Sequence, residues 1–121
     1  MIMYRPGDIR FLLQSMNKNV STVGEILQNL EQHFDLRTCR LGPISKIAIL
    51  TGLKSNFTMS PKLQHDLGLC INMGSFNKVL WAEFHSLEIT PGTDKYNKLL
   101  DGLVKIILMC NPKIKADEKG K

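Results

Sequence analysis

Nucleophilic catalysis needs a base within reach of the nucleophile and a third group to orient that base. The nearest candidate in this chain is Cys70 with His65. Five residues apart on one helix, they stand about 140° apart around its axis. His65 and Asp66 would have to act as base and orienter, yet adjacent side chains on a helix diverge. Glu83 and Glu88 are also five apart and do not converge as an acid/base pair does. His33, His65 and His85 fall in separate segments, and no C-x-x-C pair is present, so metal-ligand spacing is missing. The glycines are isolated, which leaves no phosphate-cradling loop. The expectation is a chain that is not an enzyme and uses no metal or cofactor.

Cys39, Cys70 and Cys110 are widely spaced and odd in number, which argues against a secreted disulfide framework. They read as three reduced, largely buried thiols. Residues Met1 to Asp8 carry charge and turn formers before any apolar run develops, unlike a signal peptide. No stretch approaches the roughly 18 apolar residues of a membrane span. An intracellular location, cytoplasmic or nuclear, is expected. By the same reasoning the glycosylation sequon Asn56-Phe57-Thr58 reads as accidental.

Recognition chemistry is better represented. The formal net charge is +5. Between Leu36 and Gln64 there is no acidic residue, yet Arg37, Arg40, Lys46, Lys54 and Lys62 are all there. Lys113, Lys115, Lys119 and Lys121 follow near the end, against Asp117 and Glu118. A field of one sign favours an acidic protein surface, a single-stranded nucleic acid or anionic lipid, and its bland alternative is a solvated basic face. Phe57 lies among these lysines, an arrangement that can stack and neutralise a nucleic-acid strand. Trp81 falls off the apolar stripe of its helix, beside Lys78 and His85. It either meets a second neighbour within the fold or anchors a partner.

The elements that must position these groups are helical nearly throughout. Ile9, Leu12, Leu13 and Met16 recur at three and four residues, with Asp8 as a cap. Thr22 and Glu25 form a capping box ahead of Val23, Ile26, Leu27, Leu30 and Phe34. Leu36 to Leu41 reads as a basic connector with a helical turn. Gly42-Pro43 starts the next helix, with Ile44, Ile47, Ala48, Leu50 and Leu53 as its apolar surface and Gly52 at its end. Ser60-Pro61 opens another, lined by Leu63, Leu67, Cys70 and Ile71 and stopped at Gly74. Ser75 then caps a helix bearing Phe76, Val79, Leu80, Phe84 and Leu87. After Thr90-Pro91, Thr93 or Asp94 starts the last helix, which runs through Tyr96, Leu99, Leu100, Leu103, Val104 and Ile107 to Cys110.

The pattern predicts an all-α fold of about six antiparallel helices, a bundle or a short helical-hairpin array. Residues 1–111 form one helical domain and 112–121 a charged, disordered tail. Helix starts recur as pairs about every 35 residues, the length of tetratricopeptide and pentatricopeptide units. Leu69-Cys70-Ile71-Asn72-Met73-Gly74-Ser75-Phe76, followed by Thr93-Asp94-Lys95-Tyr96-Asn97-Lys98-Leu99-Leu100, resembles one half of a pentatricopeptide unit and the start of the next. The resemblance spans residues 60–105 and departs from the family where Val79 replaces a small alanine. It implies a single-stranded RNA surface with Asn97 on a base-reading face and Lys62 in a comparable place. One and a half units would need the rest of a larger array to read a sequence. The leading expectation is a non-catalytic interaction or scaffold module with a basic face, and the alternative is nucleic-acid binding.

Overall fold

The computed structural model describes residues 4–55 and 57–115. Six helices are packed together: α1 (Pro6–Met16), α2 (Val23–His33), α3 (Pro43–Lys54), α4 (Pro61–Gly68), α5 (Met73–Phe84) and α6 (Asp94–Cys110). A 3-10 turn, Leu36–Thr38, forms the expected connector. Strand β1 (Phe34–Asp35) follows α2 directly, and β2 (Lys113–Ile114) follows α6. They pair antiparallel, Phe34 against Ile114 and Asp35 against Lys113. The tail expected from residue 112 is therefore tied down through Lys115, whose amide donates to the His33 carbonyl. Residues 116–121, and Asn56 of the sequon, lie outside the described residues.

Several helix ends follow the expected chemistry. The Thr22 hydroxyl accepts from the Glu25 amide, and the Glu25 carboxylate accepts from the Ser21 and Thr22 amides. Those bonds, the Ser21 amide foremost, hold the Glu25 carboxyl below the usual range. Ser60 and Thr93 cap α4 and α6 as expected. Other boundaries move. Pro6 starts α1 two residues before Asp8, which lies in its first turn. α4 ends at Gly68, and Asn72, whose side chain accepts from the Ser75 amide, caps α5 in place of Ser75. Gly74 is thus inside α5, and Gly52 is inside α3.

The core is built around α2 and α5, which lie against each other. Leu27, Leu30, Met73 and Phe76 are all buried. Their ends are joined reciprocally. At one end the Val23 amide donates to the Leu87 carbonyl (2.9 Å) and the Ile89 amide to Ser21 (3.0 Å). At the other, the Met73 amide donates to Cys39 (2.7 Å) and the Leu41 amide to Ile71 (2.9 Å). Between them the Asn77 side-chain amide donates to the carbonyl of Leu27, 50 residues earlier. Reciprocal contacts of this kind are what a local two-fold axis produces. The chain thus consists of two three-helix halves, α1–α3 and α4–α6, with α2 related to α5 and α3 to α6 by that spacing. Thr22 and Asn72, Gly24 and Gly74, Leu30 and Leu80, and Phe34 and Phe84 are matched positions.

Cys39 and Cys110 are joined by a disulfide, with Cα atoms 4.8 Å apart. This corrects the expectation of three reduced thiols, which rested on spacing in the chain. The fold brings residues 71 positions apart together where the α2–α3 connector meets the end of α6. Cys70 is free and buried, as expected.

Three measurements of denaturant unfolding check this packing. A Cβ on Gly24 would lie 2.7 Å from the His85 carbonyl oxygen, so Gly24→Ala should cost about 1–3 kcal/mol. Gly102, in mid-α6, has open space beside it, so Gly102→Ala should stabilise by roughly 0.5–1 kcal/mol. The double replacement of Cys39 and Cys110 by serine should cost about 2–4 kcal/mol under non-reducing conditions.

Candidate functional site

Helix α3 is apolar on nearly every side, and such a helix is ordinarily covered all round. Here Ile49 and Leu53 are buried and Leu50 is half-buried. Ile44 and Ile47, read from the sequence as part of this helix's apolar surface, are 84% and 65% exposed. They lie one turn apart on the outer face, with exposed Thr51 a turn further on. Leu69 and Ile71, in the α4–α5 loop that touches α3, are exposed as well. Exposed apolar residues gathered in this way mark contact surfaces in soluble proteins.

The inner side of α3 faces α6 across a cleft of about 260 Å³. Ile49, Gly52 and Leu53 of α3 line it, facing Leu99, Gly102 and Leu103 of α6. These are matched pairs in the two halves. Each helix brings a glycine to the same place, and the missing side chains leave the space open.

The cationic residues divide into three settings. Arg37 donates through Nε to Asp35 Oδ1 (3.1 Å), which holds the Asp35 carboxyl below its usual range, with Lys115 adding to the effect. Arg40, beside the disulfide, is exposed and pairs through its backbone with Asn72. Lys113 faces Asp35 across the strand ladder. The structure thus brings Arg37, Lys113 and Lys115 to one carboxylate, with Arg40 beside the nearby disulfide, joining two basic stretches that are far apart in the chain. The sequence shows both stretches. It does not show the ladder and disulfide that bring them together.

Lys46 has a different setting. Its ammonium donates to the carbonyls of Gly68 (2.6 Å) and Cys70 (3.0 Å), occupying the open end of α4. Lys54 is exposed at the end of α3. Lys62 is exposed on α4 and bonded to Asp66 (2.9 Å), which raises the lysine above its ordinary value.

The aromatic candidates also separate. Phe57 is 6% exposed, tilted against Phe84 with ring centres 5.1 Å apart, and the Lys95 ammonium lies 6.0 Å from its centre. It fills the core and is not presented to a partner. Trp81 is 38% exposed and stacks on His85, a neighbour within the fold, with ring centres 4.2 Å apart. Asn97 is half-buried in the first turn of α6. Among the described residues, no three of His, Cys, Asp or Glu converge as metal ligands, and no helix is long and apolar enough to cross a membrane. No family model matches the chain, and neither a curated protein nor a solved structure shows significant similarity to it.

His33 lies beside the strand ladder, its carbonyl accepting from the Lys115 amide. Burial holds its imidazole below the ordinary value of about 6.5, with the Phe34 ring edge-on at 4.8 Å. The depressed value means the folded state favours the neutral ring. Its contribution to stability is complete above the ordinary value and is lost as pH falls through the lowered one. Denaturant midpoints should therefore fall between pH 7 and pH 5. His33→Gln should flatten that part of the profile.

Proposed function

We propose that this chain is a non-catalytic interaction module that binds an acidic protein surface through the side of the molecule centred on α3. The observation that carries the reading is the exposure of Ile44 and Ile47 on a helix with no acidic residue, inside a stretch where every charge is positive. Apolar side chains supply affinity once water leaves them. The cations of the same stretch, Arg37, Arg40, Lys54 and Lys62, speed encounter and select against basic partners. Trp81 and Asn97 stand outside this surface, on α5 and α6.

Single-stranded nucleic acid remains the competing reading, supported by the cluster of Arg37, Arg40, Lys113 and Lys115. It loses Phe57 as a stacking platform, because that ring is buried. The expected intracellular location belongs to this proposal too, and the disulfide weighs against a reducing compartment.

Fluorescence anisotropy distinguishes the partners. The protein should bind a Glu- and Leu-rich amphipathic peptide more tightly than an oligouridylate, with a shallow dependence on salt. Tighter binding of the oligonucleotide, with log affinity falling by several units per log unit of salt, would replace the first reading with the second.

A further inference from the structure

The two halves of the molecule begin alike at their first helices and then part. In the second half-interface, the Tyr96 hydroxyl of α6 donates to the carbonyl of Asn17, just beyond the end of α1 (3.0 Å). At the matched position, Lys46 of α3 donates to carbonyls at and just beyond the end of α4. From that shared anchor α1 runs along α6, where Arg10 is ion-paired with Asp101. α4 is shorter and turns instead against α5. α1 meets α6 at Asp101 and, through Asn17, at Tyr96, on the helix face that continues through Asn97, Leu100 and Val104. The matched residues of α3 are Ile47, Leu50, Thr51 and Lys54. Ile47, Thr51 and Lys54 are exposed, and Leu50 is half-buried.

We infer that this uncovered face of α3 is a seat for an amphipathic helix of an acidic partner, laid across α3 as α1 is laid across α6. The inference rests on the interaction-module reading and gives it a site and a partner geometry. The occupant's charge follows from a comparison of the two seats. On α6 the seat presents Asp101 and receives Arg10 from α1. On α3 the same place holds neutral Thr51, and Val104 is matched by Lys54. The charge offered to the incoming helix is reversed, so a carboxylate takes the place of the arginine. A second copy of this chain is a poor occupant. Its own α1 would bring Arg10 to Thr51, one turn from Lys54, and both copies carry a net charge of +5. An acidic helix meets apolar Ile47 and Leu50 with its stripe and Lys54 with its flank, in the way grooves take helical anchors at three- and four-residue spacing.

The probe is a stapled peptide of about four turns. It carries the apolar spacing of Ile9, Leu12, Leu13 and Met16, with glutamate in the place of Arg10. Added to the isotopically labelled protein, it should shift amide resonances of Ile47, Leu50, Thr51 and Lys54. Ile47→Asp is a change at an exposed position and should weaken binding at least about tenfold while the spectrum stays folded. An otherwise identical peptide with arginine in that place should bind at least about tenfold more weakly. Binding that shifts residues around Arg37 and Lys113 instead would overturn the seat and leave the interaction reading standing. No shift at millimolar peptide, or equal binding of the two peptides, would also overturn the seat. The oligonucleotide comparison decides the broader reading independently.

Discussion

The arrangement depends on the antiparallel contact of α2 with α5. Its apolar residues supply the bulk of the driving force, but its ends determine the geometry. Each helix start is bonded to the strand-like segment leaving the other helix, so Val23 and Ile89 are joined to Leu87 and Ser21, while Met73 and Leu41 are joined to Cys39 and Ile71. These bonds satisfy amides that a helix N-terminus would otherwise leave open. They also deliver the chain into α3 and α6 in matched positions. Gly24 permits the close approach at one end, where a side chain would collide with His85.

Symmetry of the inner pair makes the asymmetry of the outer layer informative. α3 and α6 face each other across a cleft lined by equivalent residues, and each is anchored through a polar side chain to the end of the other half's first helix. α1 completes the cover on α6. α4 does not complete it on α3, because it is shorter and leans on α5. The exposed isoleucines follow from that difference. The same region is the longest part of the chain without an acidic residue, so apolar surface and positive field coincide.

Much of this was legible in the sequence, for identifiable reasons. Helix content follows from apolar residues recurring at three and four positions, and the caps at Thr22, Ser60 and Thr93 announce themselves by residue type. Helix ends governed by glycine were less legible. Gly52 and Gly74 resemble terminators, but one opens the cleft and the other lies in the first turn of α5. The Cys39–Cys110 bridge and the β1–β2 ladder join distant segments, and local patterns carry no information about such pairings. The halves share burial pattern more than identity, with Ile26 matched to Phe76 and Val20 to Cys70, which hides their relation from direct inspection. The exposed face of α3 left one trace: Ile44, Ile47, Ile49, Leu50 and Leu53 are more apolar residues than one buried stripe requires.

Residue-resolved native-state hydrogen exchange tests the central claim that a two-fold helical core leaves one of its two flanking helices uncovered. The account predicts the slowest exchange at amides of α2 and α5, slow exchange along α6, and markedly faster exchange along α3. Equal protection of α3 and α6 would contradict it, because the outer face of α3 would then be as well covered as the matched face of α6.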